Sequence, residues 1–226
     1  MLITEQLASH VKERPNHIIT QFNGREITYS AFYEKAKRLA GFFQAKGYKQ
    51  EDVIALYLNN SDYFLICYYA CQLGGFTVMP VNTKLAAPEI EYIFKHSEAK
   101  TLVYDVRLEP VLHEIPETLE GFLHTLQVGG DNTLEAIFAD SSLVMNEVAI
   151  NEQQTSVIFY TSGTTGKPKG VMLSAQNVYA TAQIWGEAMD LNERDRMQIV
   201  APLFHCAASH VFSIPVIYAG GTIVIE

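Results

Sequence analysis

The chain has 226 residues, 48% of them apolar, and its 16 Lys+Arg against 25 Asp+Glu leave a net charge of −9. The apolar content supports a sizeable core and excludes a disordered chain. The acidic balance excludes a protein that grips nucleic acid through a basic stripe. Cys67, Cys71 and Cys206 are too few and odd in number for a disulfide scaffold, and they suit a reducing cytoplasm. Cys67 and Cys71 sit four residues apart in an apolar run, so they read as buried thiols. No partner ligands lie at zinc-like spacing, so no metal site is predicted.

Alternation of short apolar runs with helical patterns organises the rest. Leu2–Arg14 reads as a helix stopped by Pro15, and no secretory signal precedes it. Ile18–Phe22 and Arg25–Thr28 flank Asn23-Gly24, a strong two-residue hairpin signal. Tyr29–Lys46 is helical, with Leu39, Phe42 and Phe43 on one face and Gly47 as the stop. Val53–Leu58 is a strand, and Ser61 is placed to cap a buried helix that runs to Leu73 and carries the Tyr68-Tyr69 pair. Phe76–Val81 is a strand, Pro88 opens a helix over Glu89–Ser97, and Thr101–Tyr104 is a further strand. The stretch 105–154 gives only a helix near Val111 and a strand near Phe122–Val128. Ser156–Thr161 and Gly170–Ser174 are strands joined by a Gly/Ser/Thr loop, and Ala175–Met189 is a helix in which Trp185 is expected to pack. From Met197 to Ile225 there is no charged residue, but Pro202, His205, His210, Pro215 and Gly220-Gly221 interrupt the run. It reads as strand Arg196–Ala201, helix Cys206–Tyr218 and strand Thr222–Ile225, not as a transmembrane segment. Strands alternating with helices predict an α/β fold, layered, with mostly parallel sheets and helices on both faces. Thr222–Ile225 looks like a buried strand that stops short of its neighbours, as though more sheet should follow.

One loop carries chemistry. Thr161-Ser162-Gly163-Thr164-Thr165-Gly166-Lys167-Pro168-Lys169-Gly170 gathers hydroxyls, glycines and lysines at the end of a predicted strand. Glycines let backbone N–H groups converge and a ligand approach closely, and hydroxyls and lysines add donors for phosphate oxygens. The composition is that of a polyphosphate cradle. It is neither a Walker A loop, because only two residues separate Gly163 from Gly166 and Pro168 follows the lysine, nor a dinucleotide fingerprint.

The string from Tyr160 to Val171 resembles the phosphate loop of the adenylate-forming enzymes, the superfamily of acyl-CoA synthetases, peptide-synthetase adenylation domains and luciferases. Pro202-Leu203-Phe204-His205, Gly220-Gly221-Thr222, Gly75–Asn82 and Thr28-Tyr29 resemble further segments of that family, so the likeness runs from about residue 4 to Glu226. It implies a two-step reaction: a carboxylate attacks the α-phosphorus of ATP to give an acyl-adenylate and pyrophosphate, and a thiol such as CoA then takes the acyl group. ATP, Mg²⁺ and CoA are the implied cofactors and a small carboxylate the implied substrate. The resemblance assigns Thr161, Ser162, Gly163, Thr164, Thr165, Gly166 and Lys167 to the β- and γ-phosphates, and His205 to substrate binding rather than proton transfer. Lys169 is the weaker candidate for phosphate contact, and His210 is expected to be structural.

The sequence departs from the family in length, at roughly half of what is usual, so the family's adenine, ribose and Mg²⁺ segments and its mobile C-terminal domain have no counterpart here. The expected organisation is 1–49 packing on a second subdomain, 50–190 as the first α/β subdomain with the phosphate loop at 161–170, and 191–226 as an incomplete second subdomain. The reading is therefore the amino-terminal part of an acyl-CoA synthetase in the cytoplasm, with no catalytic residue in this chain and no turnover alone. The truncated sheet would expose apolar surface through which copies self-associate. The alternatives are an amino-acid adenylation domain and a non-catalytic ATP-binding half-protein.

Overall fold

The computed structural model describes residues 1–131, 133–161 and 166–226. Helix α1 (Ile3–Glu13) leads into the hairpin β1 (Ile18–Phe22) and β2 (Arg25–Thr28), then α2 (Tyr29–Ala45). The turn residues Asn23 and Gly24 have φ of 49° and 75°, the left-handed pair that a two-residue hairpin turn requires. Thr28 caps α2 by accepting from the Ala31 N–H at 3.2 Å. Strand β3 (Val53–Tyr57), α3 (Asp62–Gly74), β4 (Thr77–Pro80), α4 (Ala87–Ser97) and β5 (Thr101–Asp105) follow in strict alternation. A 3₁₀ turn over Val106–Leu108 leads to α5 (Glu109–Leu112), α6 (Pro116–Glu120), β6 (His124–Val128) and α7 (Thr133–Ala139). Last come β7 (Thr155–Thr161), β8 (Lys169–Ser174), α8 (Ala175–Ala188), β9 (Arg196–Ile199), α9 (Ile214–Tyr218) and β10 (Thr222–Ile225).

The strands form two sheets. The six-stranded one has the order β6-β5-β3-β4-β7-β8 and the four-stranded one the order β2-β1-β10-β9. All pairings are parallel except the two hairpins, β1–β2 and β7–β8. The larger core lies between the sheets and around α2 and α3, and takes Ile54, Leu56, Val78 and Val103 from the six-stranded sheet. The smaller core lies on the opposite face beneath α4 and takes Ala55, Tyr57, Met79 and Leu102. The period-two alternation of these residues is what a sheet covered on both faces demands. Helix α3 is buried all round, with Tyr68, Tyr69 and Cys71 fully enclosed. Burial pushes the Cys67 and Cys71 thiols far up, so both are inert packing groups.

The structure corrects several expectations. Strand β10 pairs with β1 on one edge and β9 on the other, so this strand itself lacks no neighbour. One of these neighbours comes from the N-terminal hairpin, about 200 residues earlier. Ser61 occupies the N-cap position of α3, but its hydroxyl donates to the Asn59 carbonyl at 3.4 Å instead of capping the helix. The single helix expected over Cys206–Tyr218 is a π-helical turn, Ala207–Ser213, followed by α9. Pro215 has no N–H to continue an α-helical ladder, and the Ile214 N–H reaches back five residues to the Ser209 carbonyl. Trp185 does not pack inside; it is 40% exposed. No helix among the described residues is long and apolar enough to cross a membrane.

Candidate functional site

In a parallel sheet, the carboxyl ends of the strands are where ligands bind. Strand β7 is parallel to β4, and the motif loop leaves its carboxyl end at Thr161. Strand β8 returns antiparallel, with Thr161 opposite Lys169, so the loop is the tip of a β-hairpin as its Pro168 implied. Ser162, Gly163, Thr164 and Thr165, all assigned to phosphate by sequence, lie outside the described residues. Gly166 has a φ of +88°, which an L side chain rarely adopts, and a Cβ there would meet nothing within 4 Å. Its glycine is required by the backbone and not by space.

A cavity of about 370 Å³ opens beside this hairpin. Thr161 and Pro168 form one wall, Phe204, His205 and Cys206 another, and the side of α4 with Glu89 and Ile93 a third. The structure thus brings Thr161 and His205, 44 positions apart in sequence, to one cavity. Gly166 and Lys167 are not among its lining residues; Lys167 instead lies over the ring of Tyr92, with Nζ 5.4 Å from the ring centroid.

Placement of His205 depends on Asn60, which sequence reasoning missed. Its amide Nδ2 donates to the Ala201 carbonyl at 3.0 Å, and its Oδ1 accepts from the Leu203 N–H at 2.7 Å. This clamp ties the segment after β9 to the end of β3. The His205 N–H then closes a turn on the Pro202 carbonyl at 3.0 Å. The exposed imidazole accepts from the Ala207 N–H through Nδ1 at 3.3 Å, which leaves the proton of the neutral ring on Nε2 as a donor. That arrangement suits an anionic or carbonyl oxygen and does not make His205 a base.

His210 is the contrary case. It is buried, pairs through Nε2 with the Tyr68 hydroxyl at 3.0 Å and through Nδ1 with the Ser209 hydroxyl at 3.0 Å, and lies edge-on to Phe159 at 5.0 Å. Burial pushes its pKa down to about 3, so it is neutral and structural. Lys169 is an exposed strand residue outside the cavity lining. Tyr160, next to Thr161, bonds His96 of α4 through its hydroxyl at 2.7 Å, and burial raises its phenol to about 12, so it stays protonated. Tyr92 and His96 stand four positions apart on one helix, the only sequence signal that they act together.

The family model described as AMP-binding enzyme matches residues 7–226. Long-chain-fatty-acid–CoA ligase FadD13 of Mycobacterium tuberculosis is 33% identical over 190 residues, which is 80% of this chain and 36% of that protein. 2-Succinylbenzoate–CoA ligase of Bacillus licheniformis is 32% identical over 217 residues, 94% of this chain and 42% of that protein. The inhibitor-bound crystal structure of the N-terminal domain of FACL13 from Mycobacterium tuberculosis superposes on all of this chain and 57% of that one, with a TM-score of 0.91 at 27% identity. The chain spans less than half the length of the two ligases it matches.

Proposed function

The chain belongs to the AMP-binding enzyme family, and from that premise we propose that it forms the amino-terminal, triphosphate-holding part of an ATP-dependent acyl-CoA ligase. The observation that carries the reading is the β7–β8 hairpin, whose motif loop opens at a cavity that Thr161 shares with His205. In this reading Thr161, Ser162, Gly163, Thr164, Thr165, Gly166 and Lys167 hold the β- and γ-phosphates. Donors fixed in advance around the departing pyrophosphate lower the barrier because charge gathers there in the transition state. His205 Nε2–H binds the carboxylate substrate, and the apolar walls from Phe204 and Ile93 exclude water.

ATP supplies the activated phosphorus, the carboxylate attacks it and displaces pyrophosphate, and the CoA thiol then loses its proton and takes the acyl group of the adenylate, releasing AMP. The relatives that carry the names of CoA ligases support that acceptor, and the one named for long-chain fatty acids supports a place in fatty-acid metabolism. Mg²⁺ is the expected counter-ion of the triphosphate. Among the described residues no cluster of three or more His, Cys, Asp or Glu side chains could hold a metal, so no step is routed through it. We place turnover in a longer ligase, nucleotide binding in this chain, and the protein in the cytoplasm, where its three free cysteines stay reduced. The two sheets correspond in this reading to a first subdomain near 50–190 and a second assembled from 1–49 and 191–226.

Calorimetric titration of the chain with ATP tests the cradle. Lys167→Ala is expected to weaken binding about ten-fold, the effect of losing one charge-assisted phosphate contact, with the melting temperature unchanged. Equal affinity in the variant would falsify the cradle assignment.

A further inference from the structure

Four side chains link strand β7, one residue before the loop begins, to Lys167 near the loop's end by way of α4. Tyr160 sits on β7 opposite Gly170 of β8. A Cβ on Gly170 would lie 3.3 Å from the Tyr160 ring, so glycine at that position lets the ring lie across the neighbouring strand. The Tyr160 hydroxyl bonds His96 Nδ1 at 2.7 Å, with the two rings edge-on at 5.8 Å. His96 stacks on Tyr92, one helical turn earlier, at 5.3 Å and an interplanar angle of 28°. Tyr92 in turn presents its ring face to the Lys167 ammonium at 5.4 Å. The chain of contacts starts on the hairpin and ends on it, and α4 is the strut between.

Lys167 has no carboxylate partner among the described residues, and neither it nor Tyr92 lines the cavity that Thr161, Pro168 and His205 share. The ammonium is therefore held outside the cavity by an aromatic face, a contact worth a small but measurable amount at an exposed site. We propose that Tyr92 is a resting dock for Lys167, oriented by the Tyr160–His96 pair, and that it competes with the ligand phosphates for this lysine. The proposal rests on the reading of the loop as a triphosphate cradle. Tyr92 acts through Lys167 and is a positioning residue. Its ring is released, and the lysine transferred to phosphate, only when a polyanion offers the ammonium a stronger partner. The dock thus lowers the affinity for triphosphate.

The test uses the 226-residue chain with ATP as probe. Tyr92→Leu, which keeps an apolar contact with the core under α4, is expected to tighten ATP binding about two- to five-fold. Tyr92→Phe keeps the ring face and is expected to bind as wild type. In a Lys167→Ala background, Tyr92→Leu is expected to change nothing, because the dock has no lysine left to hold. A second readout needs no nucleotide: acetylation of Lys167 by acetic anhydride, followed by peptide mass spectrometry relative to Lys12, is expected to rise in Tyr92→Leu and not in Tyr92→Phe. Unchanged or weaker ATP binding in Tyr92→Leu overturns the proposal, as does an equal gain in the Lys167→Ala background. Unchanged acetylation overturns the dock alone. A Lys167→Ala chain that binds ATP like wild type overturns the cradle reading instead, and the competitive role with it.

Discussion

Two antiparallel hairpins are appended to otherwise parallel sheets, and they solve opposite problems. The β1–β2 hairpin turns in two residues, Asn23 and Gly24, both in the left-handed region. The β7–β8 hairpin leaves residues 162–168 between its paired ends, Thr161 and Lys169. The first is as short as a hairpin can be, which fixes register at the least entropic cost. The second spends chain length on a tip rich in glycine and hydroxyl groups, and length of that kind marks a ligand loop rather than a structural turn. Both are tied, toward their turn or loop ends, to the same buried helix, α3. Arg25, the first residue of β2, bonds Asp62 at the start of α3 at 2.5 Å. Phe159 of β7 packs on His210, which bonds Tyr68 in the middle of α3. The two hairpins are thus anchored to one helix by different chemistry, an ion pair in the first and a buried aromatic and hydrogen-bonded cluster in the second.

The anchor of the binding hairpin gives the largest expected effect. Folding holds His210 at a pKa of about 3, below its ordinary value of 6.5. The unfolded chain takes up a proton that the folded chain refuses, so stability is full above pH 6.5 and falls as the pH drops toward the folded value. The loss from this group reaches about 3 kcal/mol by roughly pH 4. Urea unfolding at several pH values should show a steeper acid loss in wild type than in His210→Gln, whose carboxamide does not titrate. Parallel slopes would mean that His210 is not desolvated in solution.

The anchor of the structural hairpin comes next. Asp62 is fully buried, and burial pushes its carboxyl above the usual range even with Arg25 beside it. Removing the guanidinium in Arg25→Leu leaves that carboxyl without its cation. A buried pair cut on one side costs several kcal/mol, but Arg25 is half exposed, so about 2 kcal/mol is expected. Unfolding at neutral pH measures it. The same variant should lose less as the pH falls, because burial raises the Asp62 carboxyl and its protonation removes the buried charge. A pH-independent loss would shift the explanation to the ring of Tyr63, on which Arg25 lies at 4.8 Å.

How much of this was legible in the sequence differs between the hairpins in the same way. The short one could be read from Asn23-Gly24 alone, and its strands lie where the pattern put them, because two-residue turns have a local code. The strands of the long one were legible too, and so was the phosphate-like composition of its tip. What surrounds the tip was not. His205 reaches the cavity only because Asn60, at the end of another strand, clamps Ala201 and Leu203. Tyr92 and His96 are unremarkable helix residues until α4 packs beside β7. The pairing of β1 with β10 likewise has no local signal, since it joins residues about 200 positions apart. Helices α6 and α7 were missed within 105–154 because each spans two turns or fewer, too short for a helical period to show. Trp185 misled for a related reason: apolar identity does not say which side of a helix meets the core, and here the core side of α8 is taken by Val178 and Ala182.

The smallest effect sharpens the comparison most, because it puts the same change into both tips. Gly24 and Gly166 have φ of +75° and +88°, and a Cβ at either would meet nothing within 4 Å. Alanine at each therefore costs backbone strain and no clash, about 1 kcal/mol. In Gly24→Ala that strain falls on a two-residue turn whose neighbours are already paired, so it should appear as a lower melting temperature with ATP affinity unchanged. In Gly166→Ala the strain falls within the string assigned to phosphate, so it is expected to be expressed in binding. Melting should then change less, and ATP affinity should drop about three- to five-fold, the same energy expressed in binding instead of folding. Melting curves and ATP titrations of the two variants, run side by side, separate the outcomes. If both lose stability alike and neither loses ATP, the long hairpin is a turn like the short one and its extra residues need another explanation.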